Sequence, residues 1–324
     1  MKRFISLVGL SLVVYSFGFV TLEVEAEPYP NRPIQIVIPS TPGAGLDVLG
    51  RLVGEEMGRV LKAQVVMVNK PGASMTLGTD AVVRSKKDGY TLLYSATSAI
   101  VYARVPVPDV VPYDPVKDLE PLGFHVWNPL IIGVREEAPW KTFNELIDYA
   151  KQNPGKVRVS LHSIGSIDHF NLEIIKSSTG AEFNLVPFKG PAEATTAFLG
   201  GHVDVAAVAL TMALPHLQTG KVKVLLISRK WPGLPNVPTF VDLGYRPDLG
   251  AGWFAFYGPA GIPEDVKNTL VEAFEKAAKN PEVKAKVEKL GFTVDYRTPA
   301  ELKKIMIEDF DAAMALAAKL GLRK

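Results

Sequence analysis

The sequence contains no cysteine. That excludes disulfides, a thiol nucleophile, thiolate metal sites and a lipid-modified cysteine that would tether the chain to a membrane. Histidine is scarce: His125, His162, His169, His202 and His216 are the only five, and none forms H-E-x-x-H or a close i, i+4 pair, so metal-ligand spacing is missing. No run of five basic residues occurs and the formal net charge is only +2, which argues against a nucleic-acid partner. A nucleophile elbow is missing too. Gly165 follows Ser163 at the right distance, but Leu161 stands where G-x-S-x-G needs its first glycine. With no acid–base pair or nucleophile in evidence, the chain reads as a binding protein, without cofactor or metal, rather than an enzyme. Past the first twenty residues no apolar stretch is long enough for a membrane span.

The N-terminus is the exception. Met1-Lys2-Arg3 is a short basic region, Phe4 to Val20 is an apolar core, and Val24-Glu25-Ala26 fits a small-x-small cleavage site. This predicts a secretory signal peptide over residues 1–26, cut near Ala26–Glu27, and a periplasmic protein with no lipid anchor. The rest has the composition of a folded protein, 47% apolar and 22% charged over the whole chain.

The mature chain is organised around Pro39-Ser40-Thr41-Pro42-Gly43-Ala44-Gly45-Leu46-Asp47. An apolar run, Ile34 to Ile38, reads as a buried strand before it. Leu46 to Leu61 reads as a helix after it, with apolar residues at 46, 49, 52, 53, 57, 60 and 61 on one face. A strand that turns through small residues into a helix presents free backbone N–H groups at the positive end of a helix dipole, a setting for a carboxylate. Asp47 lies in the first turn, where helix capping and ligand contact are both open to it. The Rossmann fingerprint fails, because Val48 stands at its third glycine and the strand ending at Val68-Asn69-Lys70 carries no acidic residue. A P-loop fails for want of Gly-Lys-Ser/Thr.

The same pattern recurs. Tyr90 to Tyr94 is a strand ending in Ser95-Ala96-Thr97-Ser98, and Val157 to Leu161 is a strand delivering His162-Ser163-Ile164-Gly165-Ser166 to a helix from Ile167 to Ser178. Thr142-x-x-Glu145 and Thr298-x-x-Glu301 are capping-box patterns that open helices. Leu185 to Phe188, Val203 to Leu210, Val222 to Ile227, Trp253 to Tyr257 and Phe292 to Tyr296 read as strands, and Val105 to Pro121, with five prolines, as irregular surface loop. Strands alternating with helices predict α/β halves with mostly parallel sheets, and ligands of such sheets bind beyond the strand C-termini.

These residues carry a resemblance to the periplasmic solute-binding proteins of tripartite tricarboxylate transporters, the Bug or TctC family. The matching segments run in order: Tyr29-Pro30-x-Arg32-Pro33-Ile34; Pro42-Gly43-Ala44-Gly45-x-Asp47-Val48-x-x-Arg51, similar to the family's PGGxxDxxxR loop; Asn69-Lys70-Pro71-Gly72-Ala73; Asp88-Gly89-Tyr90-Thr91-Leu92; Tyr113-Asp114-Pro115-x-Lys117-Asp118-Leu119-x-Pro121; Pro187-Phe188-Lys189-Gly190 with Gly200-Gly201-x-Val203-Asp204; Pro235-x-Val237-Pro238-Thr239; and Ala260-Gly261-x-Pro263. The resemblance implies a two-lobed Venus-flytrap fold, lobe 1 over 27–128 completed by 251–324, lobe 2 over 129–250, and a C-terminal helix packed back on lobe 1. It implies a small-molecule carboxylate ligand, delivery to integral-membrane permease subunits, and a monomer. Crossover strands near Trp127–Leu130 and Gly250–Trp253 would form the hinge.

Candidate ligand residues in lobe 1 are Ser40, Thr41, Ala44, Gly45 and Asp47 of the first loop and Ser95 and Thr97 of the third strand's end. In lobe 2 they are His162, Ser163, Gly165, Ser166 and His169, with Lys189 the one obvious cation and Thr211 beyond the strand at 203–210. The expected donors are backbone N–H groups near Ala44–Leu46 and Gly165–Ile167. Two departures from the family pattern are Ala44 for a second glycine and Phe188 for a common tyrosine. With no arginine in the loops, the expected ligand is a mono- or dicarboxylate with an apolar or aromatic body rather than a tricarboxylate. The alternative is a ligand-sensing receptor that presents the same acid to a signalling partner; neighbouring genes would separate the two.

Overall fold

A computed structural model describes residues 28–105, 111–188, 190–246 and 248–322. The expected signal peptide and Lys189 lie outside the described residues. The chain opens with β1 (Ile34–Ile38), α1 (Gly45–Leu61), β2 (Val65–Asn69), α2 (Thr76–Val83), β3 (Thr91–Ala96), the single turns α3 (Thr97–Ile100) and α4 (Pro115–Asp118), and β4 (Leu119–Asn128). It continues through β5 (Leu130–Arg135), α5 (Phe143–Gln152), β6 (Arg158–Leu161), α6 (Ile167–Thr179), β7 (Asn184–Pro187), α7 (Pro191–Leu199), β8 (Val205–Ala209), α8 (Leu210–Gln218) and β9 (Val222–Ile227). It closes with β10 (Gly252–Pro259), α9 (Glu264–Lys279), α10 (Pro281–Lys289), β11 (Thr293–Arg297) and α11 (Pro299–Lys319).

The strands form two sheets, β11-β4-β10-β3-β1-β2 and β7-β6-β8-β5-β9, one in each lobe. Both are mixed, not mostly parallel as expected. β1 pairs in parallel with β2 and β3, and β6 with β7 and β8, but the pairings of β10 with β3 and β4, β11 with β4, and β5 with β8 and β9 are antiparallel. The reason is the crossing path. Strands whose C-termini face the other lobe run one way. A strand arriving from that lobe, β5 or β10, must run against them.

Alternation along β1 sends Ile34, Ile36 and Ile38 into one core and Val37 into the other. Each sheet is thus buried on both faces, by α1, α9 and α10 on one side of the lobe 1 sheet and α2, α3 and α11 on the other. α11 buries Leu302, Met306, Ala313 and Ala317 against this second face. At about 25 cal/mol per Å² of apolar surface, Leu302 and Met306 each contribute roughly 1.5–3 kcal/mol and each alanine less. In α1, Lys62 ends the helix in the left-handed conformation, with its N–H bonded to Arg59 and Gly58 carbonyls.

Two elements depart from the sequence expectation. β4 starts at Leu119, inside the stretch read as loop, and contains Pro121. Pro121 is opposite Tyr257 of β10, while β11 pairs only with Phe124, Val126 and Trp127. The proline therefore sits where the strand has one neighbour, the edge setting in which a missing N–H is tolerated. The strand expected over 203–210 is shorter, and a helix absent from the expectation, α8, begins at Leu210 and accommodates Pro215.

The candidate ligand crevice

The strand directions bring six helix starts to the space between the lobes: α1, α2 and α3 follow β1, β2 and β3, and α6, α7 and α8 follow β6, β7 and β8. Away from the crevice, α5, α10 and α11 cap their own starts, and α9 does not. Thr142, Asn280 and Thr298 cap α5, α10 and α11 with side-chain oxygens, Thr298 and Glu301 forming a full capping box; α9 starts from Pro263 with Glu264 and Asp265 in its first turn. At the crevice, five of the six starts lack such a cap. Ala44, Met75, Ala96, Gly190 and Ala209 precede α1, α2, α3, α7 and α8, and none supplies a side-chain cap. An uncapped start leaves backbone donors for water or a ligand.

In lobe 1 the loop is held by Asp47. Its Oδ2 accepts the Gly43 N–H at 2.8 Å and Arg51 Nε at 3.1 Å. Its Oδ1 accepts from Asn69 Nδ2 at 2.8 Å and lies 2.9 Å from Arg51 Nη2. Asn69 Nδ2 also donates to the Ser40 carbonyl at 3.0 Å. Burial raises the Asp47 pKa, but hydrogen bonds from Arg51, Gly43 and Asn69 outweigh it and hold the carboxyl below the ordinary range. Of the two roles left open for it, the structure places Asp47 as the clasp of its own loop. The Ala44 N–H goes to the Thr41 carbonyl at 3.2 Å. Among the described residues the N–H groups of Gly45, Leu46 and Asp47 have no partner. Beside them the Ser40 hydroxyl is buried, 7% exposed, and also unpartnered. Thr41 is exposed. At Gly45 a Cβ would stand 3.2 Å from the Phe292 ring, which would have to give by a few tenths of an ångström.

Lobe 2 repeats the plan with other chemistry. Asp168 Oδ2 accepts the His162 N–H at 2.8 Å, and Asp168 Oδ1 lies 2.6 Å from His162 Nδ1. Here Ser166 caps the helix start in part. Ser166 Oγ donates to the Ser163 carbonyl at 2.6 Å and receives the His169 N–H at 3.4 Å. The Gly165 N–H is taken by His169 Nδ1 at 3.1 Å, and the Ser166 N–H by the Ser163 carbonyl at 3.3 Å. Of the donors expected from Gly165 to Ile167, those of Gly165 and Ser166 are engaged, whereas the Ile167 N–H, like that of Asp168, has no partner among the described residues. His169 must carry its proton on Nε2, and burial, outweighing Glu173 and Asp168, holds its pKa below the usual value. His162 is part-exposed and Ser163 exposed.

The remaining candidates divide. Thr97 Oγ1 accepts the Trp253 N–H at 2.8 Å and donates to the Trp253 carbonyl at 3.1 Å, so it pins the returning strand. Ser95 lies within β3, not in a loop, fully buried with its hydroxyl unpartnered. Thr211 donates to Asn128 Oδ1 at 3.4 Å, beside the crossover. The lobes meet through Tyr102, whose ring is 5.6 Å from that of Phe170 on α6, and through Arg229 stacked at 3.8 Å on Trp127. α6 is joined to the second crossover: Asn171 and the Gly250 backbone exchange two hydrogen bonds of 2.8 and 2.9 Å.

Sequence reasoning missed Asn69, Asp168, Asn171 and Phe292 as parts of this region. Asn69 ends a strand facing the first loop, which was a usable signal. Asp168 occupies the first turn of a helix after a polar turn, as Asp47 does, which was the signal for it; it is 0% exposed.

Comparison with known proteins now bears on this arrangement. The family model described as tripartite tricarboxylate transporter family receptor matches residues 49–322. Protein BugT of Bordetella pertussis is 30% identical over 310 residues, which cover 91% of this chain and 94% of that protein. A protein of R. palustris solved with adipate is 25% identical with a TM-score of 0.79, covering 91% of this chain and 99% of its own. MatC from Rhodopseudomonas palustris, solved with bound malate, is 26% identical with a TM-score of 0.73, covering 89% and 99%. No helix among the described residues is long and apolar enough to cross a membrane.

Proposed function

Because this chain belongs to the tripartite tricarboxylate transporter receptor family, whose members are solute-binding proteins and not enzymes, we propose that it captures a small organic acid between its lobes and delivers it to the membrane permease of such a transporter. The two related structures bind adipate and malate, and carboxylate capture is the chemistry the crevice supports. The observation that carries this reading is the open start of α1: three backbone donors at Gly45, Leu46 and Asp47, with the buried, unpartnered Ser40 hydroxyl beside them. A carboxylate there accepts those N–H bonds and meets the positive end of the helix. His162 and Ser163 close over the rest of the molecule from lobe 2. Closure about Pro129 and Gly250 expels water and strengthens the bonds made. The mature protein acts in the periplasm as a monomer, released by cleavage of residues 1–26, with lobe 1 over 27–128 and 251–324 and lobe 2 over 129–250.

Thermal unfolding of the purified, ligand-free protein tests the proposal. Against aliphatic and aromatic carboxylates and their amides, one acid at about 100 times its Kd adds roughly 2.7 kcal/mol and its amide adds nothing. A flat response to every acid overturns the carboxylate assignment.

A further inference from the structure

Among the described residues six large apolar side chains are exposed, and the two most exposed, Leu77 and Ile164, each at 54%, sit on crevice loops of opposite lobes. Leu77 is in the first turn of α2, beside the buried Thr76, Gly78 and Thr79. A Cβ on Gly78 would stand 2.7 Å from Cβ of Pro39, so this turn lies against the residue that opens the α1 loop. Asn69, at the end of β2, ties the two loops together through the Ser40 carbonyl and Asp47. Leu77 also lies over Gly72, where a Cβ would stand 2.6 Å from its Cδ1. Between Gly72 and α2, Ala73, Ser74 and Met75 all take positive φ. Three successive left-handed non-glycine residues persist only where the surroundings fix them, so Leu77 is presented by a set loop. Ile164 is held out by its neighbours. The Ser163 carbonyl accepts both Oγ and N–H of Ser166, and the Gly165 N–H goes to His169 Nδ1.

An apolar side chain favours an apolar neighbour because both then leave water. A ligand hydroxyl set against it gives up water and gains no hydrogen bond in return. Polar side chains nearby are turned to the protein itself: Asn69 to Asp47 and Ser40, Thr97 to Trp253, Ser166 to Ser163. Resting on the carboxylate reading above, we infer that Leu77 and Ile164 are specificity-determining residues that grip the body of the acid when the lobes close, so that this receptor selects acids with an unsubstituted hydrocarbon body over the same acids bearing hydroxyls. Leu77 stands beside the loop whose helix start takes the carboxylate, and Ile164 comes down on the body from lobe 2. Of the acids bound by the two related structures, adipate has such a body and malate carries a hydroxyl; this chain sides with the first.

Calorimetric titration of the purified mature protein tests this with pairs matched in carbon number and charge: propionate against lactate, succinate against malate, adipate against galactarate, cyclohexanecarboxylate against quinate. Because charge is equal within a pair, every ionic group around the crevice weighs alike on both members. In the pair that binds best, the unsubstituted acid is expected to bind at least about tenfold more tightly, equivalent to about 1.4 kcal/mol. Leu77→Asn and Ile164→Thr put polar groups at the two contacts. Each is expected to lower the ratio severalfold, and the two together to bring it near unity while the hydroxylated acid still binds. Both positions are more than half exposed, so the variants are expected to keep the urea midpoint of the wild type, and the wild-type ratio is read without either. A wild type that binds the hydroxylated acids as tightly, or folded variants with an unchanged ratio, overturns the inference while leaving carboxylate capture standing. Failure of every acid to bind brings down the carboxylate reading and this inference together.

Discussion

The loop after β1 and the loop after β6 are built to one plan and finished in opposite ways. In both, a strand ends in a short polar turn, a helix begins, and an aspartate in its first turn reaches back to a loop N–H, Gly43 in lobe 1 and His162 in lobe 2. Lobe 1 spends its polar side chains, Arg51 and Asn69, on that aspartate and leaves the helix start bare behind Ala44. Lobe 2 spends Ser166 and His169 on the helix start itself. Similar backbones are thus finished differently: among the described residues the α1 start leaves three backbone donors without a partner and the α6 start two. Which side chains consume the backbone donors decides the difference, and the backbone trace alone does not reveal it.

Removing the lobe 1 clasp is the severest way to break this contrast. Asp47→Ala strands the Gly43 N–H and removes the carboxylate shared by Asn69 and Arg51, which keep only the bond between them and the Asn69 bond to the Ser40 carbonyl. Hydrogen bonds to charged groups are worth about 1.5–3 kcal/mol, so urea unfolding is expected to show a loss of about 2 kcal/mol with the denaturant slope unchanged. Carboxylate binding is expected to fall more than about tenfold. Normal affinity in this variant would mean that the first loop does not position the anion.

Exchanging the caps has a smaller effect and a sharper sign. Ala44→Ser gives α1 the cap it lacks, so the ligand-free protein is expected to gain about 0.5–1 kcal/mol. The same substitution occupies donors the acid would use, so affinity is expected to drop as stability rises. Ser166→Ala does the reverse in lobe 2: about 1 kcal/mol of stability is lost and affinity is nearly kept. Unfolding curves with and without ligand check both. Parallel movement of stability and affinity in Ala44→Ser would contradict an open α1 start.

Much of this was legible before the fold was known. Apolar spacing in 46–61 marks α1, and the Thr298 and Glu301 pair marks α11, because both signals are local. The two crevice loops were found from small polar residues between a strand and a helix. What stayed hidden depends on partners distant in sequence. Pro121 argues against a strand until β11 is seen to end before reaching it. Pro215 argues against a helix, yet α8 runs through it. Asp168 resembles any helix-surface acid until the lobe 2 core closes over it. The mixed pairing follows from the chain crossing between lobes, and local hydrophobic pattern carries no strand direction.

Acid isolates the two loops by the groups that hold them, with the smallest effect of the set. Burial depresses the pKa of His169 below its ordinary 6.5. Below 6.5 the unfolded chain therefore binds a proton that the native protein resists, so stability falls as the pH drops through that range and nothing is lost above it. The Asp47 carboxyl is also depressed, below 3.8, so its contribution is complete above that value and is lost only as the pH falls further, through the native pKa. Between pH 7 and 5 the lobe 2 loop weakens while the lobe 1 loop does not. His125, buried in the lobe 1 core and pushed down to about 3, adds the same background to any variant of His169. His169→Gln keeps an acceptor for the Gly165 N–H and cannot take a proton. Its stability is expected to decline less than that of the wild type between pH 7 and 5, by under about 1 kcal/mol, read as the difference between two urea series. Identical slopes would mean that the Gly165–His169 bond does not hold the second loop, and the contrast between the lobes would then rest on Ser166 alone.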